Sequence, residues 1–151
     1  MSLTIKDPGS ALTHFIGMLL AILASVPLLA LAASRDGQNA VLAFAIFACS
    51  MILLYGASTT YHTFNISEKV NRILRKIDHM MIFILIAGSY TPICVIPLRN
   101  TVGYPLLALV WGTAIIGMLI LNVGSGGLVS NFRPILVGLK DRFNLDATVI
   151  D

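Results

Sequence analysis

Ser58 and His62 stand four residues apart near the end of one long apolar run, and Asp78 opens the next. On a helix that spacing puts the hydroxyl and the imidazole on one face, one turn apart. A neutral imidazole nitrogen can ligate a metal, a carboxylate can orient a bound water or take its proton, and a hydroxyl can hydrogen-bond to either. The link between the two runs is short and basic. If both runs cross a bilayer, it holds the end of the first and the start of the second at the same membrane face, so Ser58, His62 and Asp78 come to similar depth. His14, near the start of an earlier apolar run, reaches that depth as well.

Each of these residues also has an ordinary structural reading. Ser58 can bond back to the carbonyl one turn earlier, as hydroxyls in membrane helices often do. Asp78 can complement the positive end of its helix or pair with Arg75. His14 and His79 can simply be hydrated near a membrane boundary. His79 follows Asp78 directly and so projects about 100° away around the helix axis. The two cannot face one site equally, and Asp78 is assigned to it. Ionisable groups inside membrane segments are functional candidates by default, and their convergence from separate segments makes a polar site the preferred reading.

The elements that must position these residues follow from composition. Hydrophobic residues make up 57% of the 151-residue chain and charged residues only 11%, with a mean hydropathy of +0.89. Soluble domains are roughly half apolar and about one-quarter charged, so this is an integral membrane protein. The net charge of +3 does not indicate nucleic acid, because the basic residues sit in links between apolar runs, where cytoplasmic retention accounts for them. Cys49 and Cys94 lie inside apolar runs without the spacing of a zinc or disulfide motif.

Four runs are long enough for the roughly 20 residues that cross a hydrocarbon core: 11–33, 40–61, 77–96 and 103–123. The first exceeds the apolar region of a cleaved signal peptide and is expected to remain as a helix, kinked at Pro27. Between the second and third spans, 63–76 carries Glu68, Lys69, Arg72, Arg75 and Lys76, with Val70, Ile73, Leu74 and Ile77 at helical spacing. It predicts a separate interfacial helix capped by Ser67, its cationic face toward anionic head groups. Beyond Gly124 the glycines and the short apolar patch predict a polar tail, 124–151. Most Lys and Arg fall on the side of the N-terminus and of the 63–76 link, which predicts a cytoplasmic N-terminus in a multi-pass inner-membrane protein. The expected fold is all-α, a polytopic membrane helical bundle.

Asp7-x-x-Ser10-x-x-Thr13-His14-x-x-Gly17, Ser58-Thr59-Thr60-Tyr61-His62, Leu74-Arg75-Lys76-Ile77-Asp78-His79 and Ala87-Gly88-Ser89-Tyr90-Thr91-Pro92 together resemble the hemolysin III family, relatives of the progestin and adiponectin receptors. The resemblance covers Asp7 to about Val123. It implies a seven-helix fold of which four spans stand here, in a superfamily shared with alkaline ceramidases. It also implies either a channel-like, pore-forming and cytolytic activity or a zinc-dependent hydrolysis of lipid amides. Under the second, His62 is a zinc ligand, Asp78 holds the zinc-bound water and Ser58 is the hydroxyl of the Ser-x-x-x-His motif; many members carry a glutamate where Asp7 stands here. The family's last helix supplies a His-x-x-x-His pair as further ligands. This sequence has only His14, His62 and His79, so the expectation is an incomplete zinc site in a truncated member, completed by partner helices or an oligomer or else inactive. Membrane lipids are the expected partners, and nucleic acid is not.

Overall fold

In the computed structural model the described residues are 5–35, 37–99 and 102–123. They form four helices, α1 (Pro8–Arg35), α2 (Gln38–Thr63), α3 (Glu68–Val95) and α4 (Gly103–Val123), with no strand among the described residues. All four are long and apolar enough to cross a membrane. Even α4, with 21 residues, reaches about 31 Å at 1.5 Å per residue, close to the roughly 30 Å of a hydrocarbon core. The expected tail, 124–151, lies outside the described residues. Met1–Met118 forms one compact unit. Of the second, which begins at Leu119, only the end of α4 is described.

Local chemistry sets the helix ends. Pro8 stands at the first position of α1, where its missing N–H costs nothing and its fixed φ suits a helix. Asp7 caps that helix by accepting from Ser10 N at 3.4 Å and from Ser10 Oγ at 2.7 Å. The α1–α2 link turns at Gly37, whose φ of 78° is one that side-chain-bearing residues rarely adopt. Phe64 ends α2 in extended conformation, and Ser67 caps α3 by accepting from Val70 N at 3.3 Å.

One expectation is corrected here. The segment 63–76 does not form a helix of its own; from Glu68 it is the first part of α3, which runs unbroken for 28 residues. The reason is phase. Val70, Leu74, Asp78, Met81, Leu85 and Gly88 follow one another at three- or four-residue steps across the change in composition at Lys76, and no glycine or proline interrupts the chain before Gly88.

The helices pack through small residues. α1 lies against α2 and α2 against α3. The buried positions include Ala11, Ala21 and Ala32 of α1, Ala40, Ala43, Ala48, Ser50 and Ser58 of α2, and Ala87, Gly88, Thr91 and Cys94 of α3. Large apolar side chains such as Leu12, Leu20, Leu23, Leu109 and Ile120 point outward instead. In lipid there is no gain in turning leucines away from the surroundings, and close backbone approach is the source of contact. α2 and α3 approach closely at Gly88, where a Cβ would collide with Ser50 Oγ. α4 runs back along α3, with Trp111 Nε1 donating to Thr91 Oγ1 at 3.1 Å and Gly117 set against the Phe83 ring.

Candidate functional site

The polar residues of the first two helices gather where the segment before α1 meets the end of α2. Lys6 N donates to Thr63 O at 3.4 Å and Asp7 N to His62 O at 3.0 Å, so the chain ahead of α1 is strapped to the last turn of α2 by its backbone. Side chains reinforce the strap. Lys6 Nζ sits 3.5 Å above the centre of the Tyr61 ring, a cation–π arrangement. Asp7 Oδ2 lies 3.4 Å from His62 Nδ1. The His14 and His62 rings stack with centroids 5.6 Å apart and planes 16° from parallel, and Tyr55 tilts against His14 at 6.0 Å.

Helix geometry explains why these residues meet. Gly17 of α1 stands against the Tyr55 ring of α2, where a Cβ would come within 2.9 Å of Cε1. That close approach draws the start of α1 onto the end of α2 and presses His14 and His62 together. Asp7 is held charged. The Ser10 hydroxyl bond and the Ser10 amide bond lower its pKa below the ordinary carboxylate value, burial opposes them, and nearby His62 adds to the lowering. Bonds to the charged form favour that form.

Ser58 is buried at 5% exposure, one turn before His62. Its neighbours Thr59 and Thr60 bond back to the carbonyls of Tyr55 and Gly56, each at 2.7 Å. Among the described residues Ser58 makes no such bond. Asp78 lies on the stripe of α3 that faces α2, its side chain 15% exposed against 46% for His79. Carrying the Ser50–Gly88 register toward the α2–α3 link puts Asp78 level with Thr60. The carboxylate is therefore within a turn of the depth of Ser58 and His62, but no hydrogen bond or ion pair joins it to either. Asp78 Oδ2 lies 3.8 Å from His79 Nδ1, which itself lies 2.7 Å from Arg75 O.

The described residues do not by themselves make a zinc set. A zinc site takes donors at about 2.0–2.2 Å in a tetrahedral set, with three from the protein in catalytic sites. Among the described residues no group of three His, Cys, Asp or Glu could hold a metal ion.

Sequence patterning places Ser58, His62 and Asp78 at one depth but does not reveal that Asp7 is the carboxylate His62 meets, nor that Lys6 and Tyr55 enclose the cluster. The available signal was local. Asp7-Pro8-x-Ser10 is a helix-start pattern, and its partner three residues on shows which way the carboxylate turns.

A family model described as Haemolysin-III related matches residues 3–135. The chain is 41% identical over 138 residues to a protein of Bacillus subtilis (strain 168) named Hemolysin-3 homolog, covering 89% of this chain and 64% of that one. It is 41% identical over 114 residues to Hemolysin-3 of Bacillus cereus, covering 76% and 52% respectively. The chain thus spans about half to two-thirds of the length of these curated relatives. No solved structure matches it.

Proposed function

We propose that this chain, which belongs to the haemolysin-III related family, makes membranes permeable in the manner the names of its relatives state. The observation that carries the reading is the outward turn of its apolar side chains. Only 11%, 22%, 28% and 6% of the most apolar stretch of α1, α2, α3 and α4, respectively, is buried within the chain. Helices that cover so little of one another leave lateral surface for lipid, for further helices of the kind the longer relatives have room for, or for another copy. Such lateral association is what a helical pore requires. The distribution of Lys and Arg supports a cytoplasmic N-terminus and residence in the inner membrane. Release of an entrapped dye from liposomes at defined protein content tests the reading. Release no greater than from liposomes holding an equal mass of an unrelated four-span protein would sink it.

A second reading has one observation in its favour, the meeting of Asp7, His14 and His62 with Ser58 one turn away. In that reading His62 is one ligand of a zinc site whose remaining donors come from outside the described residues, Asp78 orients a bound water, and the reaction is hydrolysis of a lipid amide. Stoichiometric zinc after chelation and reloading is its minimum requirement. Failure of both tests would leave a chain without the activity of its relatives.

A further inference from the structure

α3 is longer than a membrane crossing needs. Its 28 residues reach about 42 Å against a hydrocarbon thickness of roughly 30 Å. Its other end is engaged with protein, Ala87, Gly88, Thr91 and Cys94 being buried and Thr91 bonded to Trp111 of α4. The excess therefore falls at the Glu68 end, which carries Lys69, Arg72, Arg75 and Lys76. At about 100° per residue these four cations occupy one arc of roughly 120°, and the stripe that faces α2, Val70, Leu74 and Asp78, lies on the other side of the helix. Glu68 falls at the start of the same arc and is its only acid. Among the described residues Lys69, Arg72 and Arg75 form no ion pair, and all three are exposed. Cations three and four residues apart on one face repel unless an anion lies between them.

The neighbouring surface narrows the choice of anion. Ile82 and Ile86, each 48% exposed, continue the arc of Arg72 and Arg75 on its membrane side, about two and three turns beyond Arg75 along α3. A nucleic acid or a free phosphate has no use for that apolar border, whereas a phospholipid does. We propose that the Lys69–Arg72–Arg75 face of α3 binds an anionic phospholipid, its phosphate bridged by the two guanidinium groups and its acyl chain lying along Ile82 and Ile86. Guanidinium groups suit this task because their planar forks hold phosphate oxygens two at a time. The surface is distinct from the Asp7–His62 cluster and independent of the permeabilising activity, so either proposal can fail alone.

The test uses the full chain in neutral detergent, offered phosphatidylglycerol or phosphatidylcholine, with bound lipid counted by native mass spectrometry. Phosphatidylglycerol should be retained in preference, and Lys69→Gln/Arg72→Gln/Arg75→Gln should reduce that preference at least about tenfold, since each basic residue near an anionic surface contributes roughly fivefold. Arg35→Gln/Arg99→Gln, which removes cations from the links at the opposite ends of the helices, should leave it unchanged. All five side chains are exposed, so helicity by circular dichroism should be the same in every variant. An undiminished preference in the triple variant, an equal loss in the Arg35/Arg99 variant, or complete displacement by inorganic phosphate or by a short DNA duplex at matched ionic strength would each overturn the proposal.

Discussion

Asp7 Oδ2 and His62 Nδ1 lie 3.4 Å apart, and the backbone beneath them is joined as well, Asp7 N donating to His62 O at 3.0 Å. One residue thus starts α1 and ties that start to the end of α2. The same carboxylate accepts from the Ser10 amide and hydroxyl, so its charge serves a helix cap and a contact between segments together.

The sign of the pH dependence follows from the direction of the shift. Asp7 has its pKa lowered in the folded chain, chiefly by Ser10, so it contributes stability above the ordinary aspartate value of about 3.9. That contribution is lost as pH falls through the lower, folded value. The protection of the amides of residues 6–11, measured as hydrogen–deuterium exchange relative to the intrinsic rate at each pH, should be high at neutral pH and fall on acidification below pH of about 4. Asp7→Asn, which keeps a capping oxygen but no charge, should remove the pH dependence. Asp7→Ala should open the strap at every pH.

The contact of Gly88 with Ser50 makes a sharper demand. A Cβ at Gly88 would collide with Ser50 Oγ and lie within 2.7 Å of Ser50 Cβ, so Gly88→Val must push α3 away from α2. Overpacking of this kind costs about 1–3 kcal/mol, and unfolding in mixed detergent should show a loss of that size. Ser50→Gly in the same chain should restore most of it, because it vacates the space the new side chain needs. A double variant no more stable than Gly88→Val alone would show that the helices do not meet there.

Trp111 reports on the pairing of α3 with α4. It is the single tryptophan of the chain, and its Nε1 donates to Thr91 Oγ1 at 3.1 Å while that hydroxyl donates to Ala87 O at 2.8 Å. Thr91→Val keeps the shape and removes the acceptor, leaving the indole N–H unpaired. The expected cost is about 1–3 kcal/mol, that of an unsatisfied donor in a buried place. The emission maximum should move to shorter wavelength. Thr91→Ser should leave the emission unchanged.

The four spans were legible because hydrophobic length survives any detail of packing: each helix extends over an apolar run recognised from composition, with ends adjusted by caps such as Asp7 and Ser67. The continuity of α3 was less plain, because composition changes abruptly at Lys76 while the three- and four-residue phase of Val70, Leu74, Asp78 and Met81 does not. Phase, not charge, decides whether a helix goes on. Within the site, Ser58, His62 and Asp78 stood out as polar residues in apolar runs. The Asp7–His62 contact did not, since it depends on where the chain ahead of α1 docks its amides, and that is set by the Gly17–Tyr55 approach between helices.

Removal of metal should leave this chain as it was. With no set of three donors among the described residues, a chelator should not shift the unfolding midpoint of the 151-residue protein, and zinc titration should show at most weak binding. His62→Ala should abolish that binding and His79→Ala should not. A chelator-induced fall in the midpoint would mean that residues outside the described segments complete a site.

The adjacent pair Asp78 and His79 offers the most direct check on which face of α3 carries chemistry. Asp78 lies 15% exposed on the stripe toward α2, and His79 lies 46% exposed away from it. In a background with Cys49 and Cys94 replaced by Ala, Asp78→Cys should react slowly with a charged, membrane-impermeant maleimide, and His79→Cys should react fast. The difference follows from geometry, since a thiolate shielded by α2 meets the reagent only when the helices part. Raising the detergent until α2 and α3 separate should bring the slower rate up to the faster. Equal rates in the folded chain would show that Asp78 does not face α2, and the shared depth of Ser58, His62 and Asp78 would then carry no common site.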